Sequence, residues 1–390
     1  MPDTPFPAPL MGEPYLLTPG PLTTDIRVKQ AMLRDWGSWD ADFRAMTKSV
    51  CDQLVALAGL GCDFACVPMQ GSGSYCVEAM LGTFVPRTGK VLVLANGAYG
   101  LRAAETLRTI GRAYTVIDKG DYMPPRGDEV TAALTADPTL THVVAIHCET
   151  SSGILNPVAE ISQATSACGR KLLLDSMSAF GAVDMTGIKY EAMVSSANKC
   201  IEGVPGFGFV FAQKSELEQA RGNCHSLSLD VHAQWATMVK SGQWRYTPPT
   251  HVVAAFLMAL QIHAAEGGVA ARGARYTQNR DVMVAGMREL GFETLLKDRW
   301  LSPIIVTFFC PADPAFVFTR FYDLMKHKGF IIYPGKLTVV DSFRIGVIGR
   351  MDAHVMRRVV DAARESLAEL GVSTAAPPAQ ALAERAKLAA

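Results

Sequence analysis

The chain has 390 residues, of which 49% are hydrophobic and 19% are charged, and its formal net charge is zero with a pI near 7.1. This composition supplies a sizeable core and excludes global disorder. The balanced charge gives no indication of nucleic acid or an anionic membrane as a partner.

The N-terminal stretch "MPDTPFPAPLMGEPY" is rich in proline and lacks the basic region and apolar run of a signal peptide. No uninterrupted apolar run reaches the length of a bilayer span. The nine cysteines are an odd number in mixed surroundings, which is typical of reduced thiols. Cys62 and Cys66 lack a matching second pair, so free thiols are favoured over a metal site. We therefore expect a cytoplasmic protein without a metal.

Short strands alternate with helices through the first half of the chain. Helices are predicted over residues 42–60, 72–85, 98–111, 127–136 and 157–169. Strands are predicted over residues 64–69, 90–95, 113–117, 141–149, 171–175, 192–197 and 206–212. Because these strands are apolar at successive positions, they predict an α/β fold whose mostly parallel sheet is covered by helices on both faces.

The pattern changes after about residue 250. Two long helices over 249–266 and 268–290 lead into short apolar runs, a helix over 314–328 and a last helix over 352–369. We expect a large domain over 15–265 and a small C-terminal α/β domain over 266–370. The remaining segments, 1–14 and the Ala-rich 371–390, are predicted to be flexible tails.

Ligands of parallel sheets bind at the carboxyl ends of the strands, so the residues that follow each strand are the candidates for a site. Gly71, Ser72 and Gly73 follow the first strand and open a helix, where free N–H groups and the helix dipole favour a phosphate. Taken alone, an ordinary serine N-cap explains them better. The dinucleotide-binding pattern fails, because Cys76 occupies its third glycine position.

Polar and aromatic residues follow the next strands. Tyr99, in "NGAYG", is placed to stack on a flat ligand, although a partly buried core tyrosine explains it equally well. Glu149, Thr150 and Ser151 offer hydrogen-bonding groups at the same edge, and the alternative for them is a capped loop.

An aspartate and a lysine complete the set. Asp175 ends the apolar strand "KLLLD" and would place a carboxylate at a buried edge, where it needs a partner. Lys199 lies in "SSANKCIEGVPGFGFVF", on the turn after another strand. The two could form a salt bridge, or they could hold the two ends of one cofactor. Pyridoxal 5′-phosphate (PLP) requires such a combination, since its aldehyde bonds to a lysine and its pyridinium nitrogen pairs with an aspartate.

Collinear segments along nearly the whole chain, from "YLLTPGPLT" to the helix ending near residue 369, strengthen this interpretation. They are "QGSGSYCVEA", "ANGAYG", "HCETSSGILNP", "LLDSMSAFG", "SSANKCIEGVPGFGFV", "SLSLD" with "QW", "WRYTPPTH", "EGGVAAR", "SPII" and "FRIGVIG". With them the chain resembles the fold-type I, class V PLP-dependent aminotransferases, and within that family the 2-aminoethylphosphonate–pyruvate transaminases. The resemblance implies a homodimer with the active site between the subunits.

The resemblance also implies a role for individual residues. Lys199 would be the Schiff-base lysine and would then transfer the substrate proton, and Asp175 would pair with the ring nitrogen. Arg344 would bind the substrate carboxylate. The other implied contacts are Tyr99 and Met177 on the two faces of the ring, Ser72, Gly73 and the second subunit's Thr247 at the phosphate, and Thr150 and Ser151 near the ring hydroxyl.

The implied reaction converts 2-aminoethylphosphonate and pyruvate to phosphonoacetaldehyde and L-alanine. One position departs from the family pattern, because an arginine commonly precedes "SLSLD" and His225 stands there. If that arginine binds the phosphonate, Arg245 or Arg350 would have to replace it.

Three alternatives remain open from the sequence. An alanine–glyoxylate or serine–pyruvate aminotransferase would use the same cofactor residues. A cysteine desulfurase-like lyase would use Cys200 or Cys310 as its nucleophile, but neither lies in a flexible Gly/Ser-rich loop. A binding protein without turnover would not need the lysine, the aspartate and the arginine together.

Overall fold

The computed structural model describes residues 6–9, 12–335 and 340–388. Its strands are β1 (Tyr15–Leu16), β2 (Phe64–Gln70), β3 (Lys90–Ala95), β4 (Ala113–Asp118), β5 (Leu140–Ile146), β6 (Cys148–Glu149), β7 (Ile154–Leu155), β8 (Lys171–Asp175), β9 (Ala192–Ser196), β10 (Phe207–Gln213), β11 (Ile305–Phe309), β12 (Phe330–Ile331), β13 (Tyr333–Pro334) and β14 (Ser342–Gly346).

The helices alternate with these strands. They are α1 (Ile26–Gln30), α2 (Ala41–Leu57), α3 (Gly73–Phe84), α4 (Ala98–Thr109), α5 (Gly127–Ala136), α6 (Val158–Ala167), α7 (Lys214–Gln219), α8 (Val231–Ser241), α9 (Thr250–Glu266), α10 (Gly268–Glu289), α11 (Phe318–His327), α12 (Ala353–Leu370) and α13 (Ala379–Leu388). Short 3-10 turns lie at Ala31–Leu33 and Asp298–Trp300.

The central sheet has seven strands in the order β2-β10-β9-β8-β5-β3-β4. Its pairings are parallel except those of β10, which is antiparallel to both of its neighbours. The mostly parallel sheet predicted from the sequence is therefore confirmed. Successive residues of a strand point to opposite faces, and Val91 and Leu92 accordingly belong to different core clusters. Helices α3 and α4 pack on one face, and α2, α5, α6 and α9 pack on the other.

The reversed direction of β10 has a consequence for the site. Strand β9 ends at Ser196, at the carboxyl edge of the parallel strands, and β10 begins at Phe207 beside it. The connection that carries Lys199 therefore both leaves and re-enters the sheet at this edge. A crossover to a parallel strand would instead have carried the chain to the opposite edge.

We call the central sheet with its helices the large domain, and the antiparallel sheet β11-β14-β13 with helices α11 and α12 the small domain. Its core includes the fully buried rings of Phe292, Phe308, Phe321 and Phe343. Strand β1 pairs in parallel with β12, and Tyr15 belongs to this core, so the start of the segment predicted for the large domain packs with the small one. A two-residue strand has no periodicity that could have indicated its partner.

Part of the C-terminal segment predicted to be a flexible tail is packed in the structure. Helix α13 buries Ala381, and the Arg385 guanidinium donates a 2.6 Å hydrogen bond to the carbonyl oxygen of Thr294. The Ala-rich sequence favours a helix but offers little apolar surface, so its attachment depends on such tertiary contacts. Near the N-terminus, the Phe6 N–H donates a 2.8 Å hydrogen bond to Asp352. Residues 1–5, 10–11 and 389–390 of the predicted tails lie outside the described residues.

Helices α9 and α10 lead from the large domain to the small one. They meet at 82°, around Gly267, whose φ of 112° favours glycine.

Within the described residues no single helix is long and apolar enough to cross a membrane, although this bent pair passes the same test by length and composition. All nine cysteines of the sequence are free thiols.

Candidate active site

A cavity of about 800 Å³ lies at the carboxyl edge of the central sheet. Its wall includes seven of the residues singled out from the sequence, which are Ser72, Gly73, Tyr99, Thr150, Asp175, Met177 and Lys199. They come from five separate parts of the chain, each close to the end of a strand of the large sheet or at the start of the helix that follows. The fold therefore brings together residues that the sequence placed only as strand-end candidates.

Asp175 is the buried acid of the cavity. It is the last residue of β8, and its Oδ1 accepts a 2.9 Å hydrogen bond from the backbone N–H of Met177. Burial raises the pKa of this carboxyl group to about 6, and the nearby charge of Glu149 acts in the same direction. Lys199 and Arg102 oppose that rise in pKa. A cation placed against this carboxylate would stabilise its ionised form.

Lys199 is half-buried and lies on the connection between β9 and β10. Its Nζ donates a 2.6 Å hydrogen bond to the carbonyl oxygen of Pro19. The turn is closed by the Glu202 N–H, which donates to the Lys199 carbonyl at 2.7 Å. Gly20 packs directly on the lysine, because a Cβ at Gly20 would lie 2.8 Å from Lys199 Cδ. The amine is thus held at the cavity by the Pro19 carbonyl and by the packing of Gly20 against the end of the side chain.

The first turn of α3 lines the cavity. Ser72 is the N-cap with an extended backbone, and within the described chain its side chain makes no capping hydrogen bond. Gly73 follows it, and a Cβ at Gly73 would lie 2.6 Å from Met177 Sδ. The first N–H groups of a helix lack intrahelical acceptors, and this turn lines the cavity, which suits an anion such as a phosphate.

Glu149 organises the neighbouring helix rather than facing the cavity. This fully buried carboxylate accepts hydrogen bonds from the backbone N–H groups of Tyr99 (3.0 Å) and Gly100 (3.2 Å) at the start of α4, and from Ser151 Oγ (2.5 Å). Ser151 Oγ also accepts from the Ala98 N–H at 3.0 Å. The capped loop that the sequence offered as an alternative thus describes Glu149 and Ser151, and Ser151 does not line the cavity.

Arg344 lies behind the cavity wall. It is buried in β14, where its Nη1 donates to the Thr150 carbonyl at 2.8 Å and its Nε donates to the Pro334 carbonyl at 3.1 Å. Burial lowers the pKa of its guanidinium. The guanidinium therefore lies against the backbone of Thr150, a residue of the cavity wall.

The remaining candidates lie outside the cavity wall in this chain. Thr247 is exposed, in the segment between α8 and α9. His225 lies 3.4 Å from Glu78, Arg245 donates to the Leu227 carbonyl at 2.7 Å, and Arg350 lies 3.3 Å from Asp25.

Sequence reasoning missed Arg102, which does line the cavity. Its guanidinium lies 5.0 Å from the centre of the Tyr99 ring and 3.5 Å from Ser74 Oγ. The available signal was its spacing, since a residue three positions after Tyr99 lies on the same face of a helix.

Comparisons with known proteins identify relatives of this chain. The family model for class-V aminotransferases matches residues 75–314. The 2-aminoethylphosphonate–pyruvate transaminase of Rhizobium meliloti (strain 1021) is 73% identical over 97% of this chain and the full length of that relative. A relative with the same name, numbered 1, from Paraburkholderia xenovorans (strain LB400) is 66% identical over 98% of this chain and 99% of its own length.

Solved structures share the fold at much lower identity. The crystal structure of pyridoxamine–pyruvate aminotransferase from Mesorhizobium loti has a TM-score of 0.86 and 21% identity, and the match covers 98% of both chains. An aspartate aminotransferase from Thermus thermophilus has a TM-score of 0.81 and 21% identity over 91% of this chain and 99% of its own. With the family match and the two close relatives, these likenesses lead to one conclusion. The chain belongs to the class-V aminotransferase family.

Proposed function

We propose that this aminotransferase transfers the amino group of 2-aminoethylphosphonate to pyruvate, giving phosphonoacetaldehyde and L-alanine, with PLP as its cofactor. The proposal is carried by the 73% identity, over the full length of the relative, to an enzyme of that name. The cavity supports it, because it joins an amine, a buried carboxylate and an open helix N-terminus in one space.

The residues of the cavity fit PLP. The Asp175 carboxylate, whose pKa burial raises to about 6, is suited to a cationic pyridinium nitrogen that restores its charge. Ser72, Gly73 and the first turn of α3 would hold the phosphate, and the second subunit's Thr247 would complete that site. Tyr99 and Met177 would contact the two faces of the ring, and Thr150 would lie near its hydroxyl group.

PLP supplies, when bound, an electrophilic carbon for the donor amine and a sink for the electrons of a broken C–H bond. Lys199 would hold the cofactor covalently and would be displaced by the donor amine. The freed Lys199 Nζ would then take the proton from the carbon that bears the amino group, as a general base within reach of that atom. Asp175 would keep the ring nitrogen protonated throughout.

Arg344 is suited to the carboxylate of pyruvate and alanine. Its guanidinium donates hydrogen bonds to two backbone carbonyls, one of which belongs to Thr150 of the cavity wall. A planar guanidinium can match a carboxylate with two parallel hydrogen bonds, which a lysine cannot do. We assign no residue to the phosphonate group.

The two candidate cysteines of this chain argue against the chemistry of a desulfurase-like lyase. Cys200 is fully buried, its Sγ donates to the Ser178 carbonyl at 3.1 Å, and burial raises the pKa of its thiol. Burial also raises the pKa of the Cys310 thiol, to about 12. Neither group is a ready thiolate nucleophile.

The assembly and location belong to the same proposal. We propose a homodimer with the active site between subunits, located in the cytoplasm. The exposed position of Thr247, outside the cavity wall of its own chain, supports the first part. The free thiols are consistent with a reducing compartment.

The test uses the purified protein with PLP, followed by visible absorbance. The bound cofactor should absorb visible light, and 2-aminoethylphosphonate alone should bleach that band as the cofactor takes up the amino group. Pyruvate should then restore the band and release alanine. A Lys199→Ala variant should lack the band of the covalently bound cofactor.

The other outcomes discriminate between the alternatives. Bleaching by alanine or serine but not by the phosphonate would replace this proposal with an alanine–glyoxylate or serine–pyruvate activity. A wild-type protein that binds no PLP would overturn it entirely.

A further inference from the structure

The turn that carries Lys199 contains an unusual backbone conformation. Glu202 has a φ of 61°, and within the described chain it is the one residue other than glycine with a positive φ. Residues with a Cβ rarely adopt this backbone conformation. They are found in it where the surrounding structure imposes it. Because the Glu202 N–H closes the turn on the Lys199 carbonyl at 2.7 Å, whatever fixes Glu202 also fixes the lysine.

The Glu202 carboxylate is held by three side chains of α10. Its Oε1 accepts hydrogen bonds from Arg275 Nη2 (2.7 Å) and the Tyr276 hydroxyl (2.6 Å), and Arg272 Nη1 lies 3.3 Å away. Arg272 Nη1 also donates to the Cys200 carbonyl, within the same turn, at 2.5 Å. We name Glu202, Glu266, Arg272, Arg275 and Tyr276 the Glu202 cluster.

Glu266, the last residue of α9, balances the charge of the cluster. It accepts hydrogen bonds from Arg272 Nε and Arg275 Nε, both at 2.8 Å. Two carboxylates thus face two guanidinium groups, and Arg272 is completely buried. Burial alone would raise the pKa of Glu202, but the two arginines offset it and hold that pKa below its ordinary value. All four charges are therefore kept inside the protein.

The same cluster reaches the small domain. Arg275 Nη1 donates to the carbonyl oxygens of Gly349 (2.6 Å) and Met351 (2.8 Å), and the Gly349 N–H donates to the Tyr276 hydroxyl at 3.3 Å. Gly349 follows β14, the strand that carries Arg344. The cluster therefore bonds to the turn of the amine and to the segment that follows the strand of the substrate-binding arginine.

We propose that the Glu202 cluster is a set of positioning residues, which holds the Lys199 turn in register with the strand of Arg344. The inference rests on the proposed function, since it is the transaminase reaction that requires the amine to reach a particular carbon. None of the five residues lines the cavity. They act through Lys199 rather than on a substrate.

A purely structural role would predict something different. Loss of any buried ion pair destabilises a protein, because the remaining charge is left unpaired. A positioning role predicts in addition that the Lys199 turn loosens and that turnover falls in a protein that is still folded. The experiment must therefore separate local order of the turn from global stability.

Glu202→Gln and Tyr276→Phe are the test variants, and Glu191→Gln is the matched control. Glu191 is also a buried carboxylate, paired with His142 at 3.1 Å and Lys171 at 2.9 Å, but it lies outside the cavity wall. Tyr276→Phe removes a single hydroxyl group and so tests the proposal even if Glu202→Gln does not fold. Glu202→Gly is added because glycine accepts the positive φ, so this variant removes the side chain without adding backbone strain.

The first readout is amide hydrogen exchange at Glu202 and Gly203 in the cofactor-free protein. We expect faster exchange there in the test variants and wild-type exchange in Glu191→Gln at equal global stability. The second readout is turnover with 2-aminoethylphosphonate. We expect kcat to fall by about tenfold to a hundredfold, as a misplacement of the amine by about 1 Å would produce, with a smaller change in KM.

Two results would overturn the inference. One is wild-type exchange at the turn in folded Tyr276→Phe and Glu202→Gly. The other is a kcat loss in Glu191→Gln equal to that of the test variants. If the wild-type protein bound no PLP, the proposed function would fail, while the exchange measurement would still decide whether the cluster orders the turn.

Discussion

The carboxylate of Glu149 accepts a 3.0 Å hydrogen bond from the backbone N–H of Tyr99 and so fixes the start of the helix that carries the ring. We expect Glu149→Gln to destabilise the protein by about 1–3 kcal/mol, because its amide group cannot accept all the hydrogen bonds that the buried carboxylate accepts. Thermal or urea unfolding measures this loss, and a titration with PLP should show weaker binding.

Glu129→Gln is the matched control for Glu149. Glu129 also accepts a hydrogen bond at a helix start, from the Arg126 N–H at 2.8 Å, but it is only half-buried, and its other partner is the ammonium group of Lys119. Since water can replace its contacts, we expect a loss of about 0.5 kcal/mol or less. Equal losses in the two variants would contradict the role assigned to burial.

Gly20 lies against the end of the lysine side chain. A Cβ there would lie 2.5 Å from the Asn198 carbonyl oxygen, and the φ of Gly20 is +111°. We expect Gly20→Ala to lose about 1–3 kcal/mol of stability and to weaken PLP binding, because Lys199 must shift. The measurement combines urea unfolding with a PLP titration.

Gly59→Ala separates the clash from the backbone penalty. Gly59 has a φ of +65°, and no described atom outside its chain neighbours lies within 4 Å of its added Cβ. We expect the Gly59→Ala variant to lose about 1 kcal/mol of stability and to bind PLP like the wild type. An effect on PLP binding as large as that of Gly20→Ala would refute the contact with Lys199 as the cause.

The pKa of Asp175 predicts how stability depends on pH. In the folded protein the pKa rises from 3.8 to about 6, so between these values the folded state binds the proton more tightly than the unfolded state does. The stabilising contribution of Asp175 to the free energy of unfolding is therefore fully present below pH 4 and is lost as the pH rises through 6. At about 1.4 kcal/mol per unit, the loss is about 3 kcal/mol.

The measurement compares the cofactor-free wild type with Asp175→Asn between pH 4 and 7. The wild-type free energy of unfolding minus that of the variant should fall as the pH rises. With PLP bound, the cationic ring nitrogen should weaken this slope, since an opposite charge lowers the pKa of a carboxyl group. A difference that stays constant or rises with pH in the cofactor-free proteins would show that burial does not control Asp175.

Arg344→Lys tests the substrate contact. A lysine cannot keep the hydrogen bonds to Thr150 and Pro334 while it presents two parallel donors to a carboxylate. We expect the KM for pyruvate to rise by about tenfold to a hundredfold, corresponding to a charged hydrogen bond of about 1.5–3 kcal/mol. Steady-state kinetics with each substrate varied in turn measures it.

Arg350→Lys is the comparison for this arginine. Arg350 lies near Asp25, outside the cavity wall. We therefore expect the KM of the Arg350→Lys variant for pyruvate to match that of the wild type. An unchanged KM for pyruvate in Arg344→Lys would remove Arg344 from the substrate site. A raised KM for 2-aminoethylphosphonate in Arg350→Lys would instead assign that residue to the phosphonate.

The sequence by itself determined the local elements and the chemistry at the strand ends. Apolar runs such as "KLLLD" predicted β8 at its observed bounds, and the charged residue that ends the run predicted a carboxylate at the edge of the sheet. The helix of residues 127–136 also begins and ends as predicted. These features depend on periodicity and on the cost of burying a charge, both of which are properties of short segments.

Tertiary structure decided which of these groups meet and what each one contacts. It turned Ser151 and Glu149 into caps of α4, placed Arg344 behind Thr150, and added Arg102 to the cavity wall. It also reversed β10 and joined α10 to the Lys199 turn through Glu202. Such contacts join residues far apart in the chain, and their geometry depends on how whole elements pack. No local pattern of side chains encodes that packing.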